Sequence, residues 1–425
     1  MKKILQYIRN HGAWAFAFMI AMASPILGPL AALSPLYPLA FASGTAVVLL
    51  TRNLRISLPM AFLVLACAAS IILANPLPIF QPWVRLCYSL LVFIVLSPLL
   101  SSPTLEEFRI RLYEWVMRLS VFIGVASFFC YFAGINYMTT FYKASPGTAG
   151  LFGGLTVQSM LLGPMAGIGF IHLLYRTLKE MMTYGTLSLP RLFMMLACLC
   201  SVLLSASRGA FLSTAAAAGY LFFMFLKDKP RQLLKTVVCL LLVSGAAYPF
   251  MGYFASGMIS KQEANEKSGG TFSSREILWN DRKREFLDSP VYGVGFASQR
   301  IVSYAVSLRT GVIEPGTSYG AIFAMTGLMG GLPFMYILLT NILKRPFPRR
   351  YGAPVSPAQA TLVFFSLHMV TEGYVFAAGA SLGAVFWCSL GAAAAYRHQT
   401  HTHPLEKPRH TYSRKTSSAT TRQPF

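Results

Sequence analysis

Long apolar stretches recur along almost the whole chain, separated by short polar loops. A membrane-spanning helix needs about 20 mostly apolar residues. By that measure the pattern predicts an all-α polytopic membrane protein of about twelve transmembrane helices. They fall near residues 13–33, 36–51, 58–75, 83–100, 118–136, 157–175, 190–206, 210–226, 234–252, 318–341, 357–375 and 379–396, the second and third being marginal in length. The first follows Lys2, Lys3 and Arg9 as a secretory signal would. Its apolar run exceeds a signal core of about 7–15 residues, so it reads as an uncleaved span.

The polar positions give the spans a direction. Basic residues cluster in every second loop: Lys2, Lys3 and Arg9; Arg52 and Arg55; Arg109, Arg111 and Arg118; Arg176, Lys179 and Arg191; Lys227, Lys229, Arg231 and Lys235. Lys344, Arg345, Arg349 and Arg350 continue the series before a basic tail, whereas the alternate short loops hold only Lys143 and Arg208. Positive loops stay cytoplasmic, so both termini are expected there and Arg208 at the outer side. On the cytoplasmic side Thr104 and Glu107 fit a capping box. Glu107–Arg111 and Glu114–Arg118 then make i,i+4 pairs opposite Leu105, Phe108, Leu112 and Trp115, the pattern of an amphipathic helix on the membrane surface.

Composition supports the membrane assignment: 55% of the 425 residues are hydrophobic and 12% charged, where a soluble domain is nearer a quarter charged. The net charge of +22 is dispersed over short loops rather than gathered on one soluble face. It therefore reports orientation, and membrane lipids rather than nucleic acid are the expected partner. The seven cysteines lie within apolar runs, with neither a disulfide framework nor zinc spacing. No metal site or cofactor is expected.

One long polar segment interrupts the pattern. Residues 253–317 leave the membrane on the outer side, between the ninth and tenth spans. They divide the chain into a bundle (1–252), an extracytoplasmic loop domain (253–317), three further spans (318–396) and a disordered basic tail (397–425). Within the loop, Ser273 with Glu276 opens a helix that ends near Asp288-Ser289-Pro290. Arg275, Trp279, Arg282 and Phe286 share one of its faces. Such a face suits either a lid lying on lipid headgroups or a surface that holds phosphate and sugar, since arginine binds phosphate bidentately.

Arg208, His368 and Glu372 lie in or beside apolar runs, where an ionisable group costs about 2.5–3.5 kcal/mol at bilayer depth and is functional by default. Arg208 lies in Ser205-Ala206-Ser207-Arg208-Gly209-Ala210-Phe211, on the same side as the polar loop. His368 and Glu372 are i,i+4 near the outer end of the eleventh span, free to be a structural ion pair, part of a substrate site, or interfacial.

The order of these parts resembles the O-antigen ligase and polysaccharide polymerase superfamily. The resemblance rests on Arg208-Gly209 at the outer end of a span, and on a large outer loop two spans later. That loop carries Arg275, Trp279 and Phe286, then Pro290-Val291-Tyr292-Gly293-Val294-Gly295. It continues into a span opening with Tyr319 and containing Gly327-Leu328-Met329-Gly330. The resemblance implies glycosyl transfer at the outer face of the bacterial cytoplasmic membrane. The donor would be an undecaprenyl-pyrophosphate-linked glycan, used without nucleotide sugar or metal and alongside other polysaccharide-assembly proteins. Pyrophosphate binding carries over to Arg208 and Arg275, with Arg282 on the same helix face. Trp279, Pro290, Gly293, Gly295 and Tyr319 occupy the loop motif. Ligases of the family have a His-Asn pair just before the post-loop span; here Glu314-Pro315-Gly316-Thr317-Ser318-Tyr319 stands there. Glu314 is then the nearest candidate base, with His368 and Glu372 the other catalytic candidates. The missing histidine favours a polymerase over a ligase. A transporter or flippase is the rival of another class, but its long connection would lie on the cytoplasmic side. A non-catalytic scaffold of envelope assembly is a third reading.

Overall fold

A computed structural model describes residues 12–141, 151–235, 238, 257, 259, 263, 273–300, 311–344, 353–377 and 379–402. Lys2, Lys3, Arg9, Lys143, most of the ninth expected span, the first part of the polar loop, Arg345, Arg349, Arg350 and the tail from 403 lie outside the described residues.

The principal helices are α1 (Ala13–Ala23), α2 (Leu36–Leu49), α3 (Leu58–Ala74), α4 (Pro82–Leu96), α5 (Pro103–Phe132), α6 (Ser159–Tyr184), α7 (Leu189–Leu204) and α8 (Arg208–Leu226). They continue as α9 (Ser273–Asp288), α10 (Ser318–Leu343), α11 (Pro357–Thr371) and α12 (Ser381–Thr402). A two-residue antiparallel ribbon joins β1 (Arg55–Ile56) to β2 (Leu100–Ser101).

The structure overturns the expected count of about twelve spans. Among the described residues five helices are long and apolar enough to cross a membrane: Pro78–Leu96, Pro103–Phe132, Ser159–Tyr184, Arg208–Leu226 and Ser318–Leu343. Ala13–Ala23, Leu36–Leu49, Leu58–Ala74 and Leu189–Leu204 are apolar but shorter. Hydropathy reads composition and not continuity. The run at 13–33 is cut after Ala23 and resumes as a 3-10 turn at Gly28–Leu33, so its 11-residue helix α1 reaches only about 17 Å of a hydrocarbon core about 30 Å thick. The set of apolar helices is consistent with a multi-pass membrane protein.

The expected surface helix at 104–118 is the first half of the 30-residue α5, which runs on without a break. Its cap is Ser102, whose side chain accepts from Leu105 N at 3.3 Å, rather than Thr104. Glu107 and Arg111 do pair, at 2.6 Å, while Arg118 lies 4.7 Å over the ring of Trp115. Small residues let the central helices approach closely, as in membrane bundles. Ser201 Oγ of α7 donates to the Gly124 carbonyl of α5 at 2.6 Å, and a Cβ on Gly169 of α6 would meet the Ser120 backbone at 2.9 Å.

Helix α10 is broken at Gly327, whose φ of 58° and ψ of −156° are non-helical. In an unbroken helix Leu328 N would donate to Ala324 O, and Met329 N to Met325 O. Here both donors and both acceptors turn to the loop. Leu328 N donates to Pro290 O at 2.8 Å and Met329 N to Val291 O at 3.1 Å, while Ala324 O accepts from Val294 N at 2.8 Å and Met325 O from Gly295 N at 3.1 Å. The two glycine motifs of the sequence are therefore the two halves of one backbone joint. Gly293, at φ 74°, lies against the backbone of Met325 and Thr326, and Gly327 against that of Val291 and Tyr292, where a side chain has no room. The joint is anchored to α3 by Phe296, fully buried, whose N–H donates to Ser70 Oγ at 2.9 Å.

Candidate functional site

Helix α9 occupies the boundaries read from Ser273 and Asp288-Ser289-Pro290, and it packs on α10. Its inner face is Leu278, Asp281, Arg282, Glu285 and Ser289, all buried, with Arg275, Trp279 and Phe286 half-buried at the flanks. The shared face of Arg275, Trp279, Arg282 and Phe286 thus splits into different environments. Phe286 meets Phe323 edge-on at 5.8 Å.

Arg282 lies in a buried ion pair. Its Nη1 is 2.8 Å from Glu285 Oε2, and both side chains are essentially inaccessible at 2% and 0%. Glu285 Oε1 accepts from Arg300 N at 2.6 Å, which ties the stretch after the Gly293–Gly295 turn to the helix. Burial pulls the Arg282 pKa below the ordinary guanidinium range, and Glu285, then Asp281, oppose that shift.

Arg275 is placed otherwise. Its Nη2 donates to Glu372 Oε1 at 2.7 Å, and its Nη1 lies 4.0 Å from Glu314 Oε1. Three residues singled out separately in the sequence, up to 97 positions apart, meet at one point. The Arg275 and Glu372 side chains are 24% and 21% exposed, and Glu314 is 67% exposed. The cluster is open to an incoming ligand yet sheltered enough for its charges to act strongly.

The backbone around Glu372 explains why it faces Arg275. Helix α11 stops at Thr371, and Glu372 is its extended C-cap: its N–H still donates to His368 O at 3.1 Å, while its carboxylate pairs with Arg275. The Glu372 carbonyl accepts from Ser318 N at 3.0 Å and from Ser318 Oγ at 2.7 Å. Thr317 Oγ1 donates to Met369 O at 3.1 Å, and Tyr319 Oη to Ser366 O at 2.8 Å. The start of α10 and the end of α11 are thereby knitted together, which gives Tyr319 of the motif a positioning role.

His368 is buried beneath this seam. Its Nδ1 is 3.2 Å from Tyr374 Oη and its ring stacks on Phe364, while Nε2 is buried without a hydrogen-bond partner among the described residues. Gly209 packs here: a Cβ on it would lie 3.8 Å from His368 Cδ2 and would meet Thr371 still more closely. Arg208, half-buried, is the first residue of α8, whose cap Ser207 accepts from Ala210 N at 3.3 Å. The end of α11 therefore joins the Arg208-Gly209 corner, His368, and the Arg275–Glu372 pair.

One further arginine escaped the sequence reading because it falls inside the span expected at 83–100. Arg85 of α4 donates to Gly311 O at 2.6 Å and, with Pro315, Ser318 and Tyr374, lines a cavity of about 230 Å³ beside the seam. The signal that marked Arg208, an arginine in an apolar run, was present at Arg85 too.

Cationic side chains at the edge of an apolar bundle, set among carboxylates, suit an anionic substrate whose charge grows as it reacts. No curated protein matches the chain. Residues 193–335, which run from α7 through the loop joint and include Arg208, Arg275 and Tyr319, match the family model described as O-antigen ligase, and it is to that family that this third of the chain is similar.

Proposed function

We propose that the chain is a membrane glycosyltransferase that polymerises undecaprenyl-pyrophosphate-linked repeat units at the outer face of the bacterial cytoplasmic membrane. The observation that carries this reading is the convergence of Arg275 with Glu372 and Glu314, on the seam that also receives Arg208-Gly209. Arg208 and Arg275 hold the donor pyrophosphate. Glu372 keeps the Arg275 guanidinium aimed, and Arg282 holds the helix that presents it. An acceptor hydroxyl oxygen attacks the anomeric carbon of the donor sugar. The bond from that carbon to the pyrophosphate oxygen breaks, and its electron pair leaves with the lipid pyrophosphate. The hydroxyl proton passes to the carboxylate of Glu314, the most exposed acid of the cluster. The two arginines stabilise the charge that develops on the leaving group.

Loss of either arginine should lower polymer formation by about 100-fold or more. The test is complementation of a gene deletion with Arg208→Ala and Arg275→Ala, following surface polymer and lipid-linked single repeats. Full polymer from both variants would refute the clamp. Glu314→Gln should cost about 100- to 10,000-fold if the proton passes there. The match to a family model described as O-antigen ligase favours a second reading, in which the acceptor is another glycolipid. Finished polymer stranded on its lipid carrier in the deletion strain would decide for that reading.

A further inference from the structure

At the other end of α10, about 30 Å from the Arg275 cluster by helical rise, lies a second cavity of about 700 Å³. The ribbon β1–β2, the starts of α3 and α5 and the ends of α10 and α12 enclose it. Arg55, Arg109, Lys344 and Arg397 stand in its wall, and among the described residues Glu106 is the only carboxylate there. Glu106 is already engaged, at 2.8 Å, by His398 Nδ1. Arg109 is 1% exposed and directs its donors to the carbonyls of Ile94 and Val95 at the end of α4 and of Leu100 in β2, at 2.8–3.1 Å. Arg397 Nη2 donates to Asn341 Oδ1 at 2.6 Å, which fixes its guanidinium at the wall. The cavity is thus a cationic well.

Its exposed lining is in part apolar. Ile56, Leu58 and Tyr336 line the cavity and are 65%, 70% and 54% exposed. Lys344 immediately follows the apolar α10, so the well lies where that helix leaves the hydrocarbon. A free anion gains nothing from exposed apolar groups at the rim, whereas a phospholipid uses both parts. Its phosphate enters the basic well and its acyl chains lie on the apolar rim, as basic pockets between spanning helices hold acidic headgroups.

We propose that this cavity binds the phosphate headgroup of an anionic membrane phospholipid. The site is separate from the transfer chemistry and holds the ends of α10 and α12 to one lipid. The full chain, purified in detergent, is reconstituted into nanodiscs of phosphatidylcholine with phosphatidylglycerol, then released for native mass spectrometry. The wild-type chain should retain phosphatidylglycerol over phosphatidylcholine by about tenfold. Arg55→Glu combined with Lys344→Glu, both at exposed positions, should abolish that preference and leave the melting temperature in phosphatidylcholine unchanged. Should the double variant aggregate, Lys344→Gln alone should reduce the preference in the same assay. Equal retention of both lipids by the wild type would overturn the proposal, as would an unchanged preference in the variants. Displacement of the lipid by inorganic phosphate would assign the well to a soluble anion and overturn it equally.

Discussion

Arg275 and Arg282 stand two turns apart on one helix, yet their surroundings ask opposite things of them. Arg282 is sealed against Glu285, and removing one member of such a pair strands the other charge in the interior. Arg282→Met should therefore destabilise the protein by about 3–5 kcal/mol, read as a lowered melting temperature in detergent. Replacing Arg282 and Glu285 together with apolar residues should recover most of that loss. Arg275 and Glu372 are 24% and 21% exposed, so water can reach the partner left behind, and Arg275→Ala should cost less stability than Arg282→Met while product is lost. A melting temperature that fell equally in both variants would make Arg275 structural. The sequence could not separate the two arginines by type. Glu285, three positions from Arg282, was a local sign of its fate, whereas Glu314 and Glu372 reach Arg275 only through the fold. Glu314 was legible as a candidate because it stands where ligases of the family carry a His-Asn pair, and Glu372 because it is an acid inside an expected span. That they share one guanidinium was not legible.

At the scale of elements, the loop joint concentrates the structural demand on two glycines. A Cβ at Gly327 would run into the carbonyl of Val291, at a φ that only glycine adopts freely. Gly327→Ala and Gly293→Ala should each cost about 1–3 kcal/mol from backbone strain alone, with further loss from the clash, and should abolish polymer by displacing α9. Gly219 of α8 is the control, since a Cβ there meets nothing within 4 Å. Gly219→Ala should be neutral or stabilising by about 0.5–1 kcal/mol, and thermal unfolding of the three variants checks the contrast. The sequence showed Pro290-x-x-Gly-x-Gly and Gly327-x-x-Gly as separate motifs. Their pairing was hidden because each contributes only backbone, which no side-chain pattern reports. The overcounted spans have a related cause. An apolar run looks the same whether it is one long helix or a short helix with a 3-10 turn, as at Ala13–Leu33.

For the whole molecule, the charge pattern of the loops makes a topological prediction. Glu314 should face outward and Lys344, at the far end of α10, the cytoplasm. With all seven native cysteines replaced by serine, Glu314→Cys should react with a membrane-impermeant maleimide in intact spheroplasts. Lys344→Cys should react only after permeabilisation. The opposite result would reverse the orientation and, with it, the compartment in which the proposed transfer takes place.

The joint between Pro290–Gly295 and Gly327 also sets an order of assembly. In lipid, backbone groups without a partner are costly enough to forbid an open break in a helix, so α10 cannot settle until the loop has returned to it. The ribosome makes the loop first, and a partner strand is at hand when the helix emerges. A chain with the loop excised would present four unsatisfied groups to the membrane, which makes biogenesis of α10, and not catalysis alone, dependent on a segment outside the bundle.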